Sequence, residues 1–588
     1  MNKALTHVQH DTDFCVVGGG LAGMCAAISA ARHGLKVVIM QDRPVFGGNA
    51  SSEIRMWVCG ARGKNNRETG IMEEIALEAL YRNPYRIYPV WDTVLYEKVK
   101  QEKNITALLN CSCTDAQMDG NKIISVTGWQ TTTQKWHTVS AKYFADCSGD
   151  SILAPLTGAE FRMGRESKDE FGESYAPDKA DKKTMGMSCL IQARKMDSPR
   201  PFIAPDWAYK YTKEDLEPYH LPNIDNGKEN FWYMELGGEY DSIGDTEELR
   251  DRLIKVALGI WDFVKNSGNS SAENWELEFL GFLPGKRESR RYVGDHILIQ
   301  SDVESEGKFD DIIAYGGWSM DDHHPAGIDT KELPTIFHPA PSPFGIPYRC
   351  IYSKNIENLF FAGRNISVSH MALSSTRVMA TCGVLGQAAG IAAAIACKYN
   401  LSPRQVYQQK INELKQTLML DDCYLPFNKM EMSEITKNAQ IKADCEFPDR
   451  LRSGVDRSRE DDCVIIELGK EIIYDFGKPT EIKGIRFIFD SDLNRETVSE
   501  DNFLNDKTTI CNIPLNLKPV CVPKTLVKQL SVYSFDDEKN EWTPLSAIEN
   551  NHQRLVNLSV SAKCSALKFV PEQTQGSEKA HIFSINVD

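Results

Sequence analysis

The 588-residue sequence predicts an α/β protein that carries an additional all-β region at its C-terminal end. Two segments show α/β patterning: a strand, a glycine cluster, a helix and a second strand fill residues 13–40, and a strand followed by an apolar helix fills residues 357–397. From residue 430 onward, apolar and polar residues alternate with a period of two between turn residues, which is typical of an antiparallel sandwich. We therefore predict one discontinuous α/β domain with an insertion, followed by a β-sandwich.

The first segment contains the most specific motif of the chain. Gly18, Gly20 and Gly23 follow a short buried strand with the spacing G-x-G-x-x-G, and a helical apolar pattern then leads to a second strand at residues 37–40. In such a βαβ unit, the first glycine permits a tight turn, the second lets the backbone approach a pyrophosphate, and the third lets the helix pack closely. The motif predicts a Rossmann-like fold that binds a diphosphate at the N-terminus of the helix.

The end of the second strand departs from the usual pattern of this fold. An acidic residue there normally binds the ribose hydroxyls, whereas this chain has Gln41 followed by Asp42. Gln41 can donate and accept hydrogen bonds, and Asp42 can supply a carboxylate instead. We expect one or both to contact the ribose of the dinucleotide.

Several longer runs resemble one flavoprotein family. They are RPVFGGNASSEIRMWVCGA, LPGKRESRRYVGD and AGRNISVSHMALSSTRVM, together with residues 143–161, where Gly149 and Asp150 match the A-T-G-D segment of such proteins and Ser148 replaces the Thr. The chain thus resembles the bacterial FAD-dependent oxidoreductase family of the glutathione-reductase-like class, from residue 13 to about residue 425. This resemblance implies FAD as the cofactor, a Rossmann-like FAD-binding domain and an inserted substrate domain.

The resemblance also implies which residues bind FAD. They are Gly18, Gly20, Gly23, Gln41, Asp42, Arg43, Gly47, Gly48, Asn49, Ser51, Arg55, Cys113, Gly149, Asp150, Gly363, Arg364, Asn365, Thr376 and Arg377. Ser374, Ser375 and Thr376 are helix N-cap residue types. We therefore expect the apolar helix to begin directly after them and to direct its free N–H groups at the flavin.

The predicted domains are an FAD-binding domain formed by residues 11–165 and 346–428, an α+β substrate domain at 166–345, and a sandwich at 430–588. The sandwich resembles discoidin-like, galactose-binding-like modules, in which sugar binding and shielding of a partner domain are both known uses. The uncharged run at 378–397 is long enough to cross a membrane. Because Ala and Gly dominate it and it contains Gln387, we interpret it as a buried helix and predict no membrane span.

Composition excludes some classes of partner. The net charge of −15 opposes binding to the phosphates of nucleic acids, so no nucleic-acid partner is predicted. The N-terminal residues lack the apolar stretch of a signal peptide, and the 16 scattered cysteines fit buried thiols in a reducing compartment. We expect a cytoplasmic protein, with a periplasmic location as the alternative.

The candidate catalytic residues are His370, His324 and Arg349. A histidine can take the proton of an alcohol or amine as hydride leaves for flavin N5, and His370 lies between two flavin-binding motifs. His324 lies on a Pro-rich loop that leads back to the FAD-binding domain, and Arg349 can hold an anionic substrate or pair with a carboxylate. Adjacent histidines on a loop seldom bind one ion together, so no metal is predicted.

These observations predict an FAD-dependent oxidoreductase that passes a hydride from a small organic substrate to flavin N5. A sugar or glycoside alcohol is the preferred substrate, because the insertion is rich in Trp and Tyr and a sandwich follows. The electron acceptor is not identified by the sequence. Two alternatives stay open: a carbohydrate-binding protein with a non-catalytic flavin fold, and an electron-transfer subunit similar to heterodisulfide reductase flavoproteins.

Overall fold

A computed structural model describes residues 5–224, 231–268, 270–458, 463–499 and 507–588. Residues 1–4, which contribute to the expectation that there is no signal peptide, lie outside the described residues. The chain forms two compact units. The first comprises Met1–Arg62, Arg86–Leu414 and Lys507–Lys518, and the second comprises Gly63–Tyr85, Lys415–Asp506 and Pro519–Asp588.

The helices and strands are numbered in chain order. The helices are α1 (Leu21–Arg32), α2 (Ile71–Arg82), α3 (Tyr88–Lys100), α4 (Leu153–Thr157), α5 (Lys168–Phe171), α6 (Lys213–Leu216), α7 (Thr246–Asn266), α8 (Gln300–Glu304), α9 (His370–Thr376), α10 (Met379–Tyr399), α11 (Pro403–Leu420) and α12 (Glu434–Asn438). The strands of the first unit are β1 (Thr6–Val17), β2 (Val37–Met40), β3 (Ile105–Leu108), β4 (Cys111–Asp119), β5 (Lys122–Gln130), β6 (Lys135–Asp146), β7 (Phe161–Arg162), β8 (Met187–Ser188), β9 (Ile191–Lys195), β10 (Glu235–Leu236), β11 (Trp275–Leu280), β12 (Gly285–Lys286), β13 (Arg291–Tyr292), β14 (Ile312–Gly316), β15 (Met320–His323), β16 (Thr335–His338), β17 (Phe344–Pro347) and β18 (Leu359–Phe361). The strands of the second unit are β19 (Gln440–Ala443), β20 (Val464–Glu467), β21 (Ile472–Phe489), β22 (Val527–Asp536), β23 (Glu541–Ile548), β24 (Leu555–Thr574) and β25 (Lys579–Val587).

The main sheet of the first unit positions the candidate site. Its order is β3-β2-β1-β6-β5-β4, and β18 pairs with the end of β6. Strands β1, β2, β3, β6 and β18 run parallel, and the register aligns Val17 with both Met40 and Asp146, while Phe361 also lies opposite Asp146. The loops that follow β1, β2, β6 and β18 therefore meet at one edge of the sheet, where doubly wound folds bind their ligands. The predicted Rossmann-like domain is confirmed.

Residues 166–345 form small antiparallel sheets around one long helix. Strands β8, β10 and β12 make one sheet, and β9–β11, β14–β17 and β15–β16 make pairs. Helix α7 buries Leu253, Ala257, Ile260 and Trp261 in the core of this region. The predicted α+β character is confirmed. The boundaries predicted at residues 165 and 345 lie inside the first unit, so the division into separate domains stays a prediction.

Helix α10 is the one helix among the described residues that is long and apolar enough to cross a membrane, and 94% of its most apolar window is buried. It packs on α1 so closely that a Cβ on Gly386 or Gly390 would lie 2.0 Å from Ala22 O or 2.1 Å from Ser29 Oγ. The predicted burial of this helix is confirmed.

The predicted start of the apolar helix is wrong. Ser374 and Thr376 belong to the preceding helix α9, which Ser369 caps by accepting a hydrogen bond from the N–H of Ala372. Helix α10 begins at Met379, after Val378. The hydroxyls of Ser374 and Ser375 donate to the carbonyls of Met371 and Trp318 instead of capping α10.

The second unit is built on an antiparallel sheet in the order β20-β25-β21-β24-β22-β23, with β19 paired to β21. The predicted all-β C-terminal region is confirmed. Its core includes Leu77 and Leu80 of helix α2, which comes from the N-terminal part of the chain. Glu73 of the same helix forms a fully buried ion pair of 2.6 Å with Arg495, so α2 is an integral part of this unit.

Candidate active site

The glycine loop after β1 shows two kinds of glycine. Gly18 has a φ of +102°, and a Cβ on it would lie 2.5 Å from the backbone of Cys147. A Cβ on Gly23 would lie 1.8 Å from the carbonyl oxygen of Gly18. For Gly20 the nearest heavy atom would be Gly48 Cα, at 3.9 Å. Gly18 and Gly23 are therefore required by packing, whereas a Cβ on Gly20 would make only an ordinary van der Waals contact with the protein.

The loop after β2 packs directly against the glycine loop. Gly47 donates a hydrogen bond of 2.9 Å to Gly19 O, and Gly47 and Gly48 both have positive φ angles, of +103° and +58°. Ser51 Oγ donates to Gly48 O at 2.8 Å, and Asn49 Nδ2 donates to Lys286 O at 3.0 Å. The two glycine loops together form the nucleotide cradle, defined here as residues 18–23 and 47–51.

Gln41 is used by the protein itself. Its Oε1 accepts from the N–H of Gly19 at 2.7 Å, and its Nε2 donates to Val45 O at 3.0 Å. The side chain is buried and ties the two loops of the cradle together. Asp42 is exposed beside Arg43, at 3.8 Å, and so carries the free carboxylate at the end of β2. The ribose contacts predicted for Gln41 and Asp42 stay predictions, and the geometry favours Asp42.

Asp150 connects the loops after β6 and β18. Its carboxylate contacts Arg364 Nη2 at 2.6 Å, Lys286 Nζ at 2.8 Å and Ser289 Oγ at 2.8 Å. Although burial raises it, the charges of Arg364 and Lys286 lower the pKa of Asp150 to about 2. Gly149 has a φ of +81°, and a Cβ there would lie 2.7 Å from the Arg364 guanidinium. The ion pair between Asp150 and Arg364 therefore fixes the side chain of Arg364, the residue that follows Gly363.

Two predicted cofactor ligands have buried oxygens without a hydrogen-bond partner. They are Oδ1 of Asn365 and Oγ1 of Thr376, and both residues are almost completely buried. Such groups are costly unless a ligand or water satisfies them. Arg377 follows Thr376 and donates from Nη2 to Asp321 at 3.2 Å.

His370 lies at the centre of a buried charged group, the His370 cluster, defined here as Glu166, Glu288, Arg291, Asp322 and His370. His370 Nδ1 lies 2.9 Å from Glu288 and Nε2 lies 3.1 Å from Asp322. The backbone N–H of His370 donates to Glu166 at 2.8 Å, and Arg291 forms ion pairs with both Glu166 and Glu288. Burial lowers the pKa of His370, but the two carboxylates outweigh it and raise this pKa to about 10.

Both ring nitrogens of His370 therefore carry protons at neutral pH and donate to carboxylates. Asp322 is the least buried carboxylate of the cluster, with a side chain that is 19% exposed, whereas Glu288 is fully buried. The hydrogen bond from His370 lowers the pKa of Asp322 against the opposite effect of burial. The imidazolium of His370 thus connects the buried carboxylate of Glu288 to the more accessible carboxylate of Asp322.

A second histidine repeats this arrangement on the other face of β15. His323 Nδ1 lies 2.7 Å from Glu235, and its Nε2 lies 3.4 Å from Asp321. Arg287 approaches Glu235 at 3.5 Å. Successive residues of a strand point to opposite faces, so Asp321 and Asp322 each serve one histidine.

A family model described as FAD dependent oxidoreductase matches residues 13–418, more than two thirds of the chain. The chain belongs to the FAD-dependent oxidoreductase family. The match ends before most of the second unit, and it covers the nucleotide cradle and the whole His370 cluster. This FAD-dependent oxidoreductase therefore uses FAD as its cofactor.

Individual proteins match this chain either over a short stretch or with a low percentage of identical residues. A fumarate reductase (cytochrome) of Shewanella frigidimarina is 54% identical over 48 residues, which is 8% of this chain and 8% of that protein. A geranylgeranyl bacteriochlorophyll reductase-like structure from Thermoplasma acidophilum is 12% identical, covers 70% of this chain and 86% of that one, and has a TM-score of 0.33. A family 32 carbohydrate-binding module from Streptococcus pneumoniae EndoD is 12% identical over 26% of this chain and 99% of that one, with a TM-score of 0.20.

The residues of the FAD-dependent oxidoreductase fit the cofactor. The glycine loop leads into the start of α1, whose N-terminal N–H groups suit a diphosphate, and the lack of a side chain on Gly20 keeps the backbone accessible there. The unsatisfied oxygens of Asn365 and Thr376 provide acceptors for N–H groups such as those of a flavin. The site residues predicted on these loops are thus brought to one edge of the sheet.

Three predicted site residues lie elsewhere in the oxidoreductase. His324 lies in the turn after β15, where its Nδ1 accepts from Ala326 N and its Nε2 lies 3.7 Å from Glu332. Arg349 makes hydrogen bonds of 3.0 and 3.1 Å to the buried Asp311, so its charge is balanced within the protein. Cys113 lies on β4, and burial raises the pKa of its thiol to about 12, so it stays a neutral thiol.

Sequence reasoning did not identify the carboxylates of the His370 cluster. Glu166 and Glu288 are isolated in sequence from Asp322 and His370, and only folding brings them together. One signal was present, because the run RESRR at residues 287–291 places one glutamate among three arginines inside a region that resembles the family. Opposite charges so close together in such a region indicate an ion-pair network.

Proposed function

We propose that this FAD-dependent oxidoreductase oxidises a hydroxyl group of a small organic substrate, and that the His370 cluster takes up the hydroxyl proton. The observation that supports this proposal is the position of His370 between Glu288 and Asp322, at 2.9 and 3.1 Å. In their ionised forms these three side chains carry two negative charges and one positive charge. The group can therefore accept one proton and become neutral.

The chain's own residues divide the work as follows. Asp322 is the accessible carboxylate and receives the substrate proton on an oxygen. His370 holds protons on Nδ1 and Nε2, and it orients Asp322 by donating from Nε2. Glu288 fixes the ring by accepting from Nδ1, and Arg291 balances the charge of Glu288. When bound, FAD supplies the acceptor for the two electrons.

FAD is held, in this proposal, by the nucleotide cradle and by the loops after β6 and β18. Backbone N–H groups at the start of α1 bind the diphosphate, and Asp42 binds the ribose. Asn365 and Thr376 use their unsatisfied oxygens as acceptors toward the flavin. His324 and Arg349 act outside the proton-transferring group, since both are engaged in contacts elsewhere.

A sugar or glycoside alcohol is the proposed substrate. Trp232 packs edge-on against His323 with ring centroids 5.3 Å apart, and Trp318 donates from Nε1 to Asp321 at 3.3 Å. Both indole rings are only partly buried. Aromatic faces beside hydrogen-bonding carboxylates suit the alternating apolar and hydroxylated surfaces of a sugar ring.

Anaerobic mixing of the FAD-loaded protein with a panel of sugars and glycosides tests the proposal. We expect one of them to bleach the flavin absorbance, and we expect Asp322→Asn to slow bleaching by about 100-fold or more without loss of FAD. His324→Asn is the matched histidine control and should bleach at the wild-type rate. Sugar binding without bleaching would instead support a carbohydrate-binding protein with a non-catalytic flavin fold.

A further inference from the structure

Arg55 is a half-buried cation held in a defined orientation. Its guanidinium lies 4.0 Å from the centre of the Phe279 ring and 5.1 Å from that of Tyr88. Its Nε donates to Ser52 O at 3.1 Å, and its Nη1 donates to Gln192 Oε1. The backbone of Arg55 has a φ of +64°, a conformation that costs free energy for any residue other than glycine. The local structure thus holds this guanidinium in place.

In the part of the chain that the structure describes, no carboxylate pairs with this guanidinium. Among the described residues, no Asp or Glu oxygen lies within 4.0 Å of Arg55. The acidic groups that face it from further away are engaged elsewhere: Glu278 binds Arg194 at 2.6 Å, and Asp92 accepts from the N–H of Ser52 at 3.1 Å. Burial lowers the pKa of Arg55, which shows that the charge is held at a cost. A buried cation of this kind is stabilised when an anion binds it.

A segment from the C-terminal part of the chain completes the support of Arg55. Residues Lys507–Lys518 belong to the first unit. The carbonyl of Ile510 accepts from Gln192 Nε2 at 2.8 Å, which directs Gln192 Oε1 at Arg55. Thr509 donates to the hydroxyl of Tyr88 at 3.1 Å, and that hydroxyl donates to Arg55 O at 2.6 Å. The hydrogen bonds of the guanidinium use Nε and Nη1, and Nη2 is not among the buried polar atoms that lack a partner, so Nη2 is accessible to a ligand.

The position of Arg55 favours a substrate group over the FAD diphosphate. The cradle consists of the glycine loops at residues 18–23 and 47–51, whereas the guanidinium lies against Phe279 of β11 and Gln192 of β9, in the inserted region. Lys507 approaches the Trp57 ring at 5.2 Å, and Arg62 approaches the Trp318 ring at 3.8 Å. Arg55 and Arg62 thus lie in one short segment, with Lys507 beside it, in a chain of net charge −15.

We propose that Arg55 binds an oxyanion of the substrate, a carboxylate or a phosphate ester, and thereby selects acidic substrates. The inference rests on the proposed oxidation of a hydroxyl compound and narrows its substrate class. Nη2 and the second N–H of Nη1 can donate to the two oxygens of such a group, which is the geometry that an arginine recognises best. With a sugar, the substrate is a uronic acid or a sugar phosphate.

Equilibrium binding to the full-length, FAD-loaded protein tests this inference. Calorimetric titrations at low salt use glucuronate, glucose 6-phosphate, acetate and inorganic phosphate as charged probes and glucose as the neutral probe. We expect wild type to bind glucuronate or glucose 6-phosphate about tenfold or more tightly than glucose. Glucuronate and glucose 6-phosphate distinguish a carboxylate from a phosphate ester, and acetate and phosphate show how much of the affinity the anion alone provides.

Two variants and one control assign the effect to Arg55. Arg55→Gln should abolish the preference for the charged sugar, and Arg55→Lys should retain part of it, because the charge remains while the fork is lost. Arg250→Gln, on helix α7, is the matched control because Arg250 is already paired with Glu247 and Asp251, and it should bind like wild type. FAD content and thermal unfolding are measured for each variant.

Three results would overturn the inference. They are an unchanged preference in Arg55→Gln, no preference for any charged probe in wild type, and loss of FAD from both Arg55 variants, which would assign Arg55 to the cofactor. Binding at equilibrium does not require hydride transfer. A preference for charged probes that depends on Arg55, found without flavin bleaching, would therefore refute the proposed oxidation and support the anion subsite. Flavin bleaching without such a preference would support the oxidation and refute the anion subsite.

Discussion

In the nucleotide cradle the groups available to a ligand are backbone N–H groups, whereas in the His370 cluster every functional atom belongs to a charged side chain. The cradle needs glycines because neighbouring backbone lies as close as 1.8 Å to a Cβ position. The cluster pairs three carboxylates with two cations, because an unpaired charge in a buried place is costly. Both regions lie in the first unit.

This difference predicts two kinds of sensitivity. The cradle should lose its structure when a larger side chain replaces a packed glycine, because its backbone segments cannot move apart without disturbing the sheet that aligns them. The His370 cluster should become unstable when one charge is removed, because each charged side chain pairs with residues from other parts of the chain. Conservative substitutions of matched size can therefore distinguish the two regions.

The largest effect is expected for Gly23→Ala. Its Cβ would overlap the carbonyl oxygen of Gly18 at 1.8 Å, and both atoms belong to packed backbone. We expect a loss of more than about 5 kcal/mol in the free energy of unfolding, together with loss of FAD. The matched variant Gly20→Ala has no protein atom closer than 3.9 Å. It should keep its thermal stability but bind FAD more weakly, and equal FAD content in the two variants would contradict this reading of the cradle.

A smaller but still large effect is expected for Glu288→Gln. This substitution keeps the size of the side chain and removes the charge that faces both Arg291 and His370. Breaking a buried ion pair by removal of one partner typically costs about 3–5 kcal/mol. Urea unfolding of the FAD-loaded protein measures the loss. A variant as stable as wild type would show that the cluster does not depend on charge balance.

The fold and the cradle could be predicted from sequence because their signals are local. Gly18, Gly20 and Gly23 lie within six residues, and the strands beside them carry continuous apolar runs. The His370 cluster joins residues more than 200 positions apart, such as Glu166 and His370. A single sequence contains no periodicity that relates such residues, so His370 was predicted but its partners were not.

Some local signals were misread because tertiary contacts compete with local propensity. Ser374 and Thr376 have strong N-cap preferences, yet Ser369 caps the earlier helix and Val378 precedes α10. Gln41 stands where a ribose ligand is expected, yet its amide binds the backbone of Gly19 in the cradle and of Val45 just before the second glycine loop. In each case a polar side chain satisfies a nearby backbone group that the sequence does not reveal.

The pH dependence of stability tests the cluster further. The carboxylates raise the pKa of His370 from 6.5 to about 10, so the stabilisation from its positive charge is fully present below about pH 6.5. This stabilisation is lost as pH rises through about 10. Wild type should therefore lose about 1–3 kcal/mol of unfolding free energy across this window, and His370→Gln should lose less. Denaturation curves at several pH values measure both slopes, and parallel slopes would exclude a charged His370.

The smallest effect is expected at Asp150, which lies beside the cradle but stabilises it through charge. The charges of Arg364 and Lys286 hold the pKa of Asp150 at about 2, below its ordinary value of 3.8. A lowered carboxyl pKa stabilises the fold above about pH 4, and this contribution disappears as pH falls through about 2. Asp150→Asn should therefore cost about 1 kcal/mol at neutral pH and almost nothing near pH 2.

Because Asp150 fixes the side chain of Arg364 in the loop after β18, Asp150→Asn should weaken FAD affinity along with stability, whereas Gly20→Ala should weaken FAD affinity alone. If Asp150→Asn lowered neither stability nor FAD affinity, the charge of Asp150 would not contribute to the cradle. The cradle would then depend on its backbone alone, even at its edge, whereas the His370 cluster depends on charge.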